Sequence, residues 1–125
     1  MRKREKAFTL IELLVVMSII ALLLTIALPR YFGSLDKAKE VTLRENLHVI
    51  RGTLDKFYAD KGSYPATLDE LVTQRYLHAV PVDPVSESNA SWVLLPSSDL
   101  TLTGVADVKS GAPGVTKDGR PYASF

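Results

Sequence analysis

The sequence predicts an α+β chain: a long N-terminal helix, apolar in its first half and amphipathic in its second, packed on a small antiparallel β-sheet. Three observations lead there. From Phe8 to Leu28 run 21 residues with a single charge, Glu12. From residue 35 to residue 60, apolar residues recur every three or four positions. Beyond Pro84, short β-prone runs alternate with Pro, Gly and Ser turn signals. The chain thus divides into a basic head at 1–7, an apolar helical half at 8–29, an amphipathic helical half at 30–60, and a small loop, helix and sheet domain at 61–125.

The apolar half has the length to span a bilayer. At 1.5 Å per residue it covers ~31 Å, against a hydrocarbon core of ~30 Å. Arg2, Lys3, Arg4 and Lys6 stand before it against Glu5, a net +3. Such a charge bias holds the N-terminus in the cytoplasm and sends the remainder across. A secretory signal peptide has a shorter apolar core, roughly 7 to 15 residues, followed by small residues at its cleavage site. Here Pro29-Arg30-Tyr31-Phe32 follows instead. An uncleaved anchor fits the length but leaves Glu12 unexplained. A charged carboxylate near mid-membrane costs roughly 2.5 to 3.5 kcal/mol, less toward the cytoplasmic end. Pro29 has no N–H to offer the carbonyl of Thr25, so the helix is expected to bend there.

In the amphipathic half, Leu43, Leu47, Ile50, Leu54 and Phe57 mark one helical stripe, with charges on the other faces. A single bent helix from Phe8 to Ala59 is the economical reading. Gly52 interrupts it at a cost of about 1 kcal/mol relative to Ala, and Gly62 ends it. His48 has no second histidine at helical spacing, and reads as a surface residue rather than a metal ligand. Thr67 with Glu70 three residues on matches a capping box, opening a short helix through Gln74 that buries Leu68, Leu71 and Val72. Pro81 and Pro84 bound a rigid extended loop. "SWVLLP" (91–96) and "DLTLTGVADV" (99–108) predict a hairpin, the second run turning Leu100, Leu102 and Gly104 to one face. "KDG" is a turn and "RPYASF" a candidate last strand, making two to four strands. An isolated hairpin is marginal, so the long helix must complete the core.

Composition excludes several functions. Residues 30–125 sum to −1 and carry no basic patch, so nucleic acid is not an expected partner. The absence of cysteine rules out a disulfide, a thiolate nucleophile and a cysteine zinc site. There is no nucleophile–base constellation, glycine-rich phosphate loop or His/Glu metal spacing. A membrane-anchored enzyme or binding domain is therefore the disfavoured class; the chain reads as a structural protein requiring no cofactor.

The stretch "KREKAFTLIELLVV", with the long apolar run and Pro29 behind it, resembles the leader and N-terminus of type IV prepilins and pseudopilins. That resemblance implies a type IV pilin-like fold and a leader, residues 1–7, cut by a prepilin peptidase between Ala7 and Phe8. Ala7 stands where glycine is usual. The new Phe8 amine would be N-methylated, and Glu12, one helical turn on, would neutralise it within the chain or on a neighbouring subunit. Tyr64-Pro65, Leu68, Leu71, Tyr76-Leu77, Pro81 and Asp83-Pro84 are similar to a stretch of the major pseudopilin of type II secretion systems. This implies a subunit of a periplasmic pseudopilus, held in the bacterial inner membrane by one span with its C-terminal domain in the periplasm. Its partners would be further copies of itself, minor pseudopilins and an inner-membrane assembly platform. A type IV pilin of a surface or DNA-uptake filament is the alternative. The resemblance also implies calcium in the C-terminal loop, where Asp107, Ser110 and Asp118 are the side-chain oxygen donors available. Lys109, Lys117 and Arg120 oppose a cation there, and a plain turn aspartate at 118 is the competing reading.

Overall fold

The structure is a computed structural model and describes residues 7–125; of the expected leader, all but Ala7 lies outside the described residues. Its first element is helix α1, Leu10–Lys61, 52 residues long. Helix α2 follows at Leu68–Thr73, then strand β1 at Val93–Leu95, strand β2 at Asp107–Lys109, and a 3-10 turn at Tyr122–Ser124. The chain forms two compact units, residues up to Leu35 and Asp36–Phe125, and α1 contributes to both.

In the first unit, the apolar half of α1 exposes nearly every side chain. Its most apolar stretch has a mean hydropathy of 2.8, and by length and composition the helix can cross a membrane. Ser18 and Thr25 satisfy their hydroxyls inside the helix, donating to the carbonyls of Leu14 and Ala21 at 2.7 and 2.8 Å, so neither presents an unpaired donor to lipid. Helical structure continues through Pro29.

In the second unit, Leu43, Leu47, Ile50, Leu54 and Phe57 are all buried, as their spacing requires. They meet Leu68 and Leu71 from α2, Trp92, Val105, Val108, Ala112 and Tyr122 in one core. Thr67 is the N-cap of α2, its hydroxyl accepting the N–H of Glu70 at 3.3 Å. Glu70 reaches back to the N–H of Ala66 at 2.7 Å, closing the box one residue early. Val72, expected on the buried face, is half-buried.

The sheet departs from expectation. β1 and β2 pair antiparallel, with Val93 opposite Lys109 and Leu95 opposite Asp107, but only Asp107 and Val108 of the 99–108 run belong to the second strand. Residues 96–106 instead form a loop. Asp99 causes this: its carboxylate accepts the N–H and the hydroxyl of Thr101 at 2.9 and 2.7 Å, and its carbonyl takes the N–H of Leu102. These local bonds give the backbone a turn in place of a ladder. Leu100, expected on the apolar face, is 96% exposed. Gly104 then adopts φ +103°, and an added Cβ would stand 2.7 Å from the carbonyl oxygens of Tyr64 and Pro65. Only glycine lets Val105 donate its N–H to Pro65 at 2.7 Å. The "RPYASF" strand reduces to one isolated bridge, Val115 with Pro121, followed by the 3-10 turn that buries Tyr122.

Candidate assembly site at the start of the long helix

Ala7 and Phe8 lie before α1, outside regular structure and exposed, with Phe8 86% exposed. A backbone segment outside regular structure is what a peptidase needs at the bond it cuts. Thr9 is the residue that starts the helix: its hydroxyl accepts the N–H of Glu12 at 3.2 Å, and its carbonyl takes the N–H of Leu13 at 3.2 Å. Glu12 therefore occupies the third helical position, where a carboxylate faces the positive end of the helix dipole. Thr9-x-x-Glu12 is the same pattern as Thr67-x-x-Glu70, yet the sequence reading used it only at the second place. It supplies a local reason for a carboxylate in the first turn. Phe8 precedes the cap, so the helix expected from Phe8 begins instead at Leu10.

At the far end of the second unit, charged side chains staple the C-terminal segment to α1. Arg51 donates from Nε to Asp107 at 2.9 Å, and from Nη2 to the carbonyls of Val108 and Phe125, both at 2.9 Å. Glu40 is buried on the same stripe as Leu43 and gathers Arg44 at 3.2 Å, Arg120 at 3.5 Å and Lys37 at 3.9 Å. Asp83 is fully buried without a cation: it accepts the N–H groups of Val85 and Ser86 and the hydroxyl of Ser110. The sole tryptophan, Trp92, donates Nε1–H to Pro81 at 2.8 Å, tying β1 to the proline loop. No motif marks Arg51, because its partners Asp107, Val108 and Phe125 lie 56 to 74 residues away.

The three residues expected to offer oxygens to calcium each have a partner within the chain. Asp107 is taken by Arg51, Ser110 by Asp83, and Asp118 stands 3.7 Å from Arg120. Among the described residues no group of three or more His, Cys, Asp or Glu could hold a metal ion. Calcium takes six to eight oxygens, so a site here would need backbone carbonyls beside these side chains.

A long helix, apolar through its first half, whose second half packs on a small antiparallel sheet defines a type IV pilin-like protein. The family of the prokaryotic N-terminal methylation motif matches residues 2–28. Type II secretion system core protein G of Pseudomonas aeruginosa is 30% identical over 99 residues, covering 66% of this chain and 70% of that protein. Core protein G of Xanthomonas campestris pv. campestris is 30% identical over 73 residues, 58% of this chain and 51% of that protein. Fimbrial protein EcpC of Eikenella corrodens is 27% identical over 124 residues, 95% of this chain and 80% of that protein. The match thus spans only about half the length of the Xanthomonas relative. No solved structure matches the chain. The chain belongs to the core protein G family of type II secretion, the G-type pseudopilins.

Proposed function

We propose that the chain is the repeating structural subunit of a periplasmic pseudopilus that drives type II protein secretion, with no catalytic role of its own. The observation that carries this reading is the first half of α1: an apolar surface exposed along its length, with one carboxylate, Glu12, in its opening turn. Such a surface is covered by lipid before assembly and by other copies of the same helix after it. A prepilin peptidase would cut between Ala7 and Phe8, and the freed, methylated Phe8 amine would carry a positive charge at the membrane surface. Glu12 is then the nearest carboxylate in sequence. Pairing it with the amine of the next subunit fixes axial register more sharply than apolar packing does, since a buried charge without its partner is heavily penalised. A repeated contact between unlike patches yields an open helix rather than a ring. Pro29 would supply a bend where the helices pack. The subunit is read as resting in the inner membrane with its N-terminus cytoplasmic and residues beyond the span periplasmic, handed to the filament with minor pseudopilins by an assembly platform.

A pilin of a surface filament is the second reading, favoured by the fimbrial relative that aligns with 95% of the chain. Intact mass and electron microscopy test both, in cells that supply the peptidase and the secretion machinery. The expected product begins at N-methylated Phe8 and forms periplasmic filaments, while Glu12→Leu inserts, folds and remains in the membrane. Retention of Met1 to Ala7 in such cells would sink the reading. Long extracellular filaments in a host without type II secretion would favour the pilin.

A further inference from the structure

Two surface features of the second unit are complementary in charge to each other. The first is the tip of the loop between β1 and β2. Leu100 is 96% exposed, yet its turn is fixed: Asp99 holds Thr101 twice, and Ser97 Oγ accepts the N–H of Asp99 at 3.1 Å. The Thr101 bonds also hold the Asp99 carboxyl below the usual carboxylate range, so it stays ionised. An ordered turn presents a negative charge beside a fully exposed leucine. The second feature is a groove of about 500 Å³. Its lining includes Arg44, Arg51 and Arg120, with His48, Ser124 and Phe125, and no Asp or Glu side chain among the described residues. The three guanidiniums touch Glu40, Asp107 and Asp118, all outside that lining, and are each between a third and about a half exposed. Their Nη1 groups make no hydrogen bond among the described residues. A half-buried Phe125 ring flanked by guanidiniums with free Nη1 groups suits an acidic residue next to an aliphatic one.

We propose that the Asp99–Leu100 tip of one copy docks in the Arg44–Arg51–Arg120 groove of a second copy. The docking rests on the assembly reading above and gives it a contact outside the membrane span. Charge complementarity selects the occupant: the tip is acidic and apolar, and the groove is basic and apolar. Tip and groove share no residue, so the contact is heterologous, and each added copy leaves one free tip and one free groove. This is the form of contact that propagates an open polymer. Asp99 positions the tip against the guanidiniums, and Leu100 packs beside the half-buried Phe125.

The chain has no cysteine, so an engineered pair gives an unambiguous readout. Leu100→Cys and Ser124→Cys, the latter on the groove lining, are introduced together in the full chain in secreting cells, followed by mild oxidation. The expected result is a ladder of dimers, trimers and higher species that reducing agent collapses, absent from either single variant. Asp99→Lys added to the pair should weaken the ladder at least tenfold, while leaving the monomer folded by Trp92 fluorescence. Filaments that form without the ladder would overturn the docking and leave the assembly reading standing. Cross-linking that stops at dimers would also overturn it, since it would mean a closed contact. Failure of the unmodified chain to form filaments would overturn the assembly reading and the docking with it.

Discussion

Leu43, Leu47, Ile50 and Leu54 are almost completely buried, and these residues hold the second unit together. Truncating Leu54 to Ala removes buried methyl groups and leaves a cavity, a change that costs about 2–5 kcal/mol. Denaturant titration in detergent, read by Trp92 fluorescence, should show that loss, whereas the exposed Leu100→Ala should be neutral within about 0.5 kcal/mol. Equal effects from the two would contradict the packing described. Arg51 acts by a different physics. It is partly exposed, so its ion pair with Asp107 contributes little. Its bonds to the carbonyls of Val108 and Phe125 matter more, and Arg51→Met should cost about 1–2 kcal/mol with weak salt dependence. Two phenols give a pH signature. The Tyr76 hydroxyl donates to Asp60 at 2.8 Å, and that bond raises its pKa; burial, with Asp36 and Glu40 nearby, raises that of Tyr122. A raised pKa means the fold favours the neutral phenol. This contribution to stability is complete below the ordinary value of 10.0 and fades as pH climbs through the raised values. Spectroscopic titration should find these two tyrosinates forming later than in the unfolded chain, and Asp60→Asn should bring Tyr76 back toward the ordinary value.

At the scale of elements, what could be read depended on whether the governing signal was local. The stripe of α1 and the cap of α2 follow from spacing within one turn, and both appear where the sequence put them. The cap is worth testing by itself: Thr67→Ala should cost about 1 kcal/mol, and Thr67→Ser close to nothing. A loss from serine as large as that from alanine would mean the hydroxyl is not the cause. The second strand was misread because Leu100 and Leu102 alternate with threonines as a strand would, while Asp99 competes for the same backbone. An Asx turn and a β ladder look alike in hydropathy; they differ in one carboxylate. At the opening of α1, the Thr9 cap was legible in principle, but Glu12 drew attention as a charge in an apolar run rather than as the third residue of a box.

At the scale of the molecule, the two units have unlike requirements. The first has no buried side chain among its described residues, so its helix depends on lipid, detergent or other copies. The second encloses the whole hydrophobic core. Denaturant added to the detergent-held protein should therefore act in two stages. Trp92 fluorescence should change in one cooperative transition while part of the far-UV helical signal persists. Simultaneous loss of both signals would show that the units unfold as one. The membrane half was legible because its 21-residue length and composition are set by the bilayer. The grip on the C-terminal segment was not, because Arg51 finds Phe125 across 74 residues and nothing near either position marks the pair.

That separation sets a clock. A chain delivered in sequence order presents the amphipathic half of its helix long before residue 125 arrives. Until then Arg51 has no Phe125 to hold, Tyr122 has not covered its side of the core, and Glu40 lacks Arg120. The second unit must wait half-finished, with its apolar stripe open, until residues 120–125 close over it.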